Sequence, residues 1–146
     1  MSGLASLLAG RRAAGLYVWH SHLPLADVAH AAEHARWRPF IVDGRAVTTR
    51  GDLLDAMATA CDFPSPFEHD WPALAACLTD LSWAMPSRGF LLVYDGWGML
   101  AHTEPYTWTT TRGILQDTCA HWAATPSPFA VILRGPGPDQ DLPELA

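Results

Sequence analysis

The stretch that most limits what this chain can become is Gly89–Asp95, read GFLLVYD. From Phe90 to Tyr94 every side chain is apolar or aromatic, with no polar residue alternating between them. A strand with one wet face alternates, so an unbroken run asks for cover on both faces. Phe129–Leu133, read FAVIL, repeats the pattern. Strands of this kind sit inside parallel sheets, joined by helical crossovers that pack on the sheet. The two runs therefore predict an α/β domain with a parallel sheet, and the text between and before them should supply helices.

It does. Residues 1–14 are small, with Leu4, Leu7 and Leu8 spaced for one short helix. Gly15–His20 carries β-formers and reads as a strand. Residues 24–36 read as a helix with Leu25, Val28, Ala29 and Ala32 on its apolar side. Arg38–Val42 is a short apolar strand closed by the Asp43-Gly44 turn. Thr48 or Thr49 caps the next helix, whose inner face holds Leu53, Leu54, Met57 and Ala60 or Cys61. A short helical turn is expected at Leu100–His102, and Pro105 opens a long helix reaching about Ala124. The last segment, Gly135-Pro136-Gly137-Pro138 with the acidic residues after it, reads as loosely ordered. The organisation expected is an N-terminal extension over 1–37, one domain over 38–135 and a tail over 136–146.

The segment from Asp62 to Trp83 carries the most local information. Pro64 and Pro66 stiffen a turn. Asp70 is placed to cap a helix, because its carboxylate can accept first-turn N–H groups, and Pro72 sits where no N–H is needed. Leu74, Cys77, Leu78 and Leu81 fall at i, i+3, i+4 and i+7 and form the inner stripe. The outer side carries Pro72, Ala75, Ala76 and Thr79. Continued to Trp83, the helix places that indole opposite the stripe.

Composition bounds the function. The formal net charge of −6 argues against a nucleic-acid binder, which needs cations for phosphates, and favours a cationic protein partner. No segment is apolar for long enough to span a bilayer, and Arg11-Arg12 follows the first apolar run, which reverses the order of a signal peptide. A cytoplasmic location without membrane contact is expected. Cys61, Cys77 and Cys119 show no paired spacing and read as buried free thiols. His30 and His34 share a helix face, and His20 and His22 share a strand face, but no carboxylate or thiol joins either pair at ligand spacing. His69 and Cys77 lie about 12 Å apart along a helix axis, too far for a nucleophile–base pair. Gly96-Trp97-Gly98 follows a strand but lacks the remaining signature of a phosphate loop. The residues thus predict no enzyme, no metal and no cofactor.

Phe63-Pro64, Phe67, His69-Asp70-Trp71, Ala73-Leu74 and Cys77-Leu78-Thr79-Asp80, with the strands upstream and downstream, resemble the barstar family of ribonuclease inhibitors. The resemblance covers about residues 38–135. It implies a two-layer α/β fold with a three-stranded parallel sheet in the order 1-2-3, to which the Leu16–His20 strand would add an edge. It also implies a non-enzymatic role, an intracellular inhibitor or immunity protein acting on a bacterial ribonuclease or related toxin. The binding surface it implies is the loop Phe67, Glu68, His69, Asp70 and Trp71, followed by Pro72, Ala75, Ala76, Thr79, Asp80 and Trp83. The family's two helix aspartates fall at Pro72 and Ala76, its helix tryptophan at Ala75, its loop tyrosine at Pro66, and a later glutamate near Ala120. Thr79 keeps the family's threonine. The alternative left open is an interaction or scaffold domain whose inhibitory face has been lost.

Overall fold

β3 (Gly89–Asp95) lies inside the sheet, and Phe90 to Tyr94 are all completely shielded from solvent. The structure is a computed structural model that describes residues 3–138 and 141–145. Along the chain come α1 (Gly3–Leu8), β1 (Leu16–Trp19), α2 (Leu25–His34), β2 (Trp37–Asp43), α3 (Arg50–Ala60) and α4 (Trp71–Asp80). After a 3-10 turn at Ser82–Ala84 and β3 follow α5 (Gly98–Thr103), α6 (Pro105–Ala123) and β4 (Phe129–Arg134). The four strands are all parallel and ordered β1-β4-β3-β2. The three strands of the 38–135 domain are therefore neighbours in chain order, and β1 is the added edge beside β4.

The order dictates which face each helix covers. From β2 to β3 to β4 the chain steps one way across the sheet. Its helices α3, α4 and α6 share a core with Phe40, Phe90, Leu92, Tyr94 and Phe129. From β1 to β2 it travels the opposite way. A crossover of the same hand must then pass over the other face. Val28 and Ala32 of α2 accordingly pack with Leu91, Val93, Ala130 and Ile132 on that second face, joined by Leu4, Leu7 and Leu8 of α1. The 38–135 region keeps the two layers expected of it. The N-terminal extension supplies a third, which is why β3 and β4 are apolar on both sides.

At the carboxyl end of the strands the loops are tightly fitted. Gly44 follows β2 where any Cβ would run into the Tyr94 ring and the Asp95 carbonyl. Thr49, rather than Thr48, is the cap of α3 and accepts the Asp52 N–H at 3.1 Å. Trp97 and Trp108 belong to the core, with ring centroids 5.2 Å apart.

Two expectations need correction. Cys77 is only half-buried, whereas Cys61 and Cys119 are buried. The C-terminal segment is not loose where it is described. Val18 donates its N–H to the Pro143 carbonyl at 2.9 Å, Leu145 donates to the Val18 carbonyl at 2.8 Å, and Leu145 is 2% exposed. The apolar anchors Leu142 and Leu145 explain the docking, since burying a leucine outweighs what its acidic neighbours lose by being held. Asp139, Gln140 and Ala146 lie outside the described residues.

Candidate functional site

α4 starts and stops for separate local reasons. At its start the Asp70 carboxylate accepts the Ala73 N–H at 2.8 Å, as a cap should. Leu74 and Leu78 turn into the core with no exposed surface. At its end Leu81 adopts a left-handed conformation, φ 50°, and its N–H bonds to the Cys77 carbonyl at 3.2 Å. The helix therefore ends at Asp80, short of the expected Trp83. Leu81 remains buried, so the inner stripe continues past the helix.

Trp83 sits instead in the 3-10 turn, and its place is set by contacts, not by helical phase. Its indole N–H donates to the Cys61 carbonyl at 2.9 Å. The ring meets Phe63 edge-on at 6.0 Å, Phe63 meets Phe67 at 5.0 Å, and Phe67 meets the His69 imidazole at 4.8 Å. A half-buried aromatic ridge thus links the end of α4 to the loop before it. Phe63 carries part of the family resemblance but is not in the binding surface expected from sequence. Its position beside Pro64 in the stiffened turn was the available signal.

The loop is also tied to α3. His69 has φ 52°; its Nε2 lies 2.9 Å from the Asp55 carboxylate and its Nδ1 2.8 Å from the Phe67 carbonyl. Asp55 was missed, because nothing in the spacing of residues 55 and 69 announces a contact. Asp62 pairs with Arg38 at 3.1 Å. On the helix, the Thr79 hydroxyl donates back to the Ala75 carbonyl at 2.8 Å. Ser82 donates to Asp80 at 3.4 Å.

The sequence-derived surface stays accessible throughout. Glu68, His69, Asp70, Pro72, Ala76 and Asp80 are exposed, and Phe67, Trp71, Ala75, Thr79 and Trp83 are half-buried. Glu104 lies between α5 and α6. Its carboxylate accepts the Arg50 N–H at 3.2 Å and the Thr107 hydroxyl at 2.8 Å, joining the starts of α3 and α6. Ala120 is exposed on α6.

The thiols have little nucleophilic character. Burial pushes Cys61 far above the ordinary thiol range, and burial pushes Cys119 up to about 12. Burial, then the nearby Asp80 carboxylate, raises Cys77 as well.

These features define a class: a parallel-sheet α/β domain that holds out a short capped helix and its preceding loop as an accessible, acid-edged surface. The chain belongs to the barstar family. The family model described as barstar (barnase inhibitor) matches residues 37–134, from the first residue of β2 to the last of β4. Barstar is an inhibitor family whose members bind a ribonuclease, not a family of enzymes. α1, β1, α2 and the C-terminal segment fall outside the matched interval. No curated protein matches the chain closely enough to count as a relative. Among the described residues no helix is long and apolar enough to cross a membrane.

Proposed function

We propose that this chain is a non-enzymatic inhibitor or immunity protein for a ribonuclease or related toxin, and that it binds through the 63–71 loop, α4 and Trp83. The observation that carries the reading is membership of an inhibitor family, with a match that spans the 63–71 loop, α4 and Trp83 along with the rest of residues 37–134. The acidic balance of the chain suits a cationic target, because opposite fields speed encounter. A cytoplasmic, bacterial immunity role follows from the same reading.

A second reading is favoured by one specific feature. Along its exposed side α4 carries Pro72 in the first turn and Ala76 at its middle, with no carboxylate to stand in for an RNA phosphate. A chain of this family could on that account serve as an interaction domain in a cellular complex with no toxin. The deciding experiment is affinity capture on the immobilised chain from its source organism, followed by an RNA-cleavage assay of what is retained. The inhibitor reading expects a cationic nuclease or toxin whose cleavage falls to background at equimolar chain. Retention of a housekeeping complex with no nuclease would establish the second reading instead.

A further inference from the structure

The charge of this molecule is not spread evenly. Between Gly51 and Ser87 there are six acids (Asp52, Asp55, Asp62, Glu68, Asp70 and Asp80) and neither lysine nor arginine. The other nine acids are matched by nine arginines, so the whole net charge of −6 arises in this one segment. The segment holds nearly all of α3, the loop and α4, and so includes the surface described above.

Within it the carboxylates avoid the middle. Asp52 accepts the Thr48 N–H and hydroxyl at the start of α3, and Asp55 is engaged by His69. Asp62 is paired with Arg38, and Asp70 is committed to its own helix. Glu68 and Asp80 remain at opposite ends of α4, exposed. Between them Pro72 and Ala76 are exposed and uncharged, and the Thr79 hydroxyl is bonded within the helix. The ridge of Phe67, Phe63 and Trp83 runs from the loop before α4 to the turn after it.

We propose that the partner is a cationic protein that seats an apolar patch, rather than a basic cleft, on Pro72, Ala76 and the Trp83 ridge, with its own basic residues ringing that patch opposite Glu68 and Asp80. An uncharged centre spares both proteins the desolvation of buried ions. Small side chains there let the partner approach the helix closely, and half-buried aromatics supply contact area at low entropic cost. The rim acids act through water and at range, so they set the encounter rate more than the lifetime of the complex. This inference rests on the reading of the α4 surface as the docking face.

Two synthetic probes test it by amide chemical-shift mapping: nona-arginine, and an amphipathic helical peptide of leucine and arginine with the same charge. Nona-arginine should shift amides near Glu68 and Asp80 and lose about tenfold or more in affinity on going to about 0.15 M salt, where screening is strong. The amphipathic peptide should in addition shift residues 72–76 and the Trp83 indole, and should bind about tenfold or more tighter than nona-arginine at about 0.15 M salt, since equal charges are screened alike and apolar contact is not screened. Ala76→Arg should weaken the amphipathic peptide by about tenfold through like-charge repulsion and lost contact. If both peptides give one footprint and one affinity at about 0.15 M salt, the uncharged centre contributes nothing and the proposal falls, although the face survives as a docking surface. If neither peptide shifts residues 63–83, the face itself is wrong and the inhibitor reading falls with it.

Discussion

Leu78 is a residue whose role the sequence states outright. It lies one turn from Leu74 on the inner stripe, it has no exposed surface, and its carbonyl accepts the Trp122 indole N–H at 2.8 Å. Leu78→Ala should cost about 2–5 kcal/mol in denaturant melts, the range for emptying a packed site. A loss under about 1 kcal/mol would mean that the stripe is not packed as described. The cysteines were less legible. Helical phase places Cys77 on the same stripe, yet it sits at the stripe's margin and is half-buried, because phase gives a direction and not the depth of the neighbouring surface. Solvent contact should separate the three thiols. A disulfide reagent at neutral pH should modify Cys77 first, while Cys61 and Cys119 react only after unfolding, the latter held as a neutral thiol with a pKa near 12. Fast modification of more than one thiol in the folded protein would contradict the burial of Cys61 and Cys119.

The two ends of α4 differ in how far they could be foreseen. Its start is written in side-chain chemistry, with Asp70 as cap and Pro72 inside the first turn, and both are where local rules put them. Its end depends on Leu81 accepting a left-handed backbone, which glycine or asparagine would have announced and leucine does not. Extending the helical wheel to Trp83 therefore gave an accessible indole for the wrong reason. The loop behaves similarly. Its prolines mark it as a turn, but the pairing of His69 with Asp55 links two elements and leaves no local trace. The strands were read most easily, because burial on both faces shows directly as an unbroken apolar run. The cap offers a clean test. Asp70→Ala should destabilise by about 0.5–2 kcal/mol, and Asp70→Asn, which keeps the acceptor oxygen, should recover most of it. Equal losses in both variants would assign the effect to the charge and not to the bond with the Ala73 N–H.

Across the molecule, the direction in which the chain crosses the sheet divides its labour. The steps from β2 to β4 lay α3, α4 and α6 on one face, and α4 among them is the proposed docking element. The reverse step from β1 to β2 lays α2 on the other face, where α1 joins it. The sequence pattern of strands and helices predicted a parallel sheet and the family resemblance implied its order, but neither showed that the N-terminal extension closes a second core. Nor did composition reveal the C-terminal segment as part of that closure, because proline, glycine and acids outnumber its anchoring leucines. That segment runs beside the outer edge of β1, an edge that would otherwise leave its backbone groups open to another chain. Leu145 joins the core on the face away from α4. Leu145→Ala should accordingly lower stability by about 1.5–3 kcal/mol, the worth of one buried leucine, with faster hydrogen exchange at the amides of Val18 and residue 145. The same variant should capture the same partner as the unaltered chain, since the proposed docking surface stands on the opposite core. Unchanged melts and exchange would show that the segment merely rests on β1, whereas loss of the partner would show that the two cores are coupled and that the third layer does more than cover the sheet.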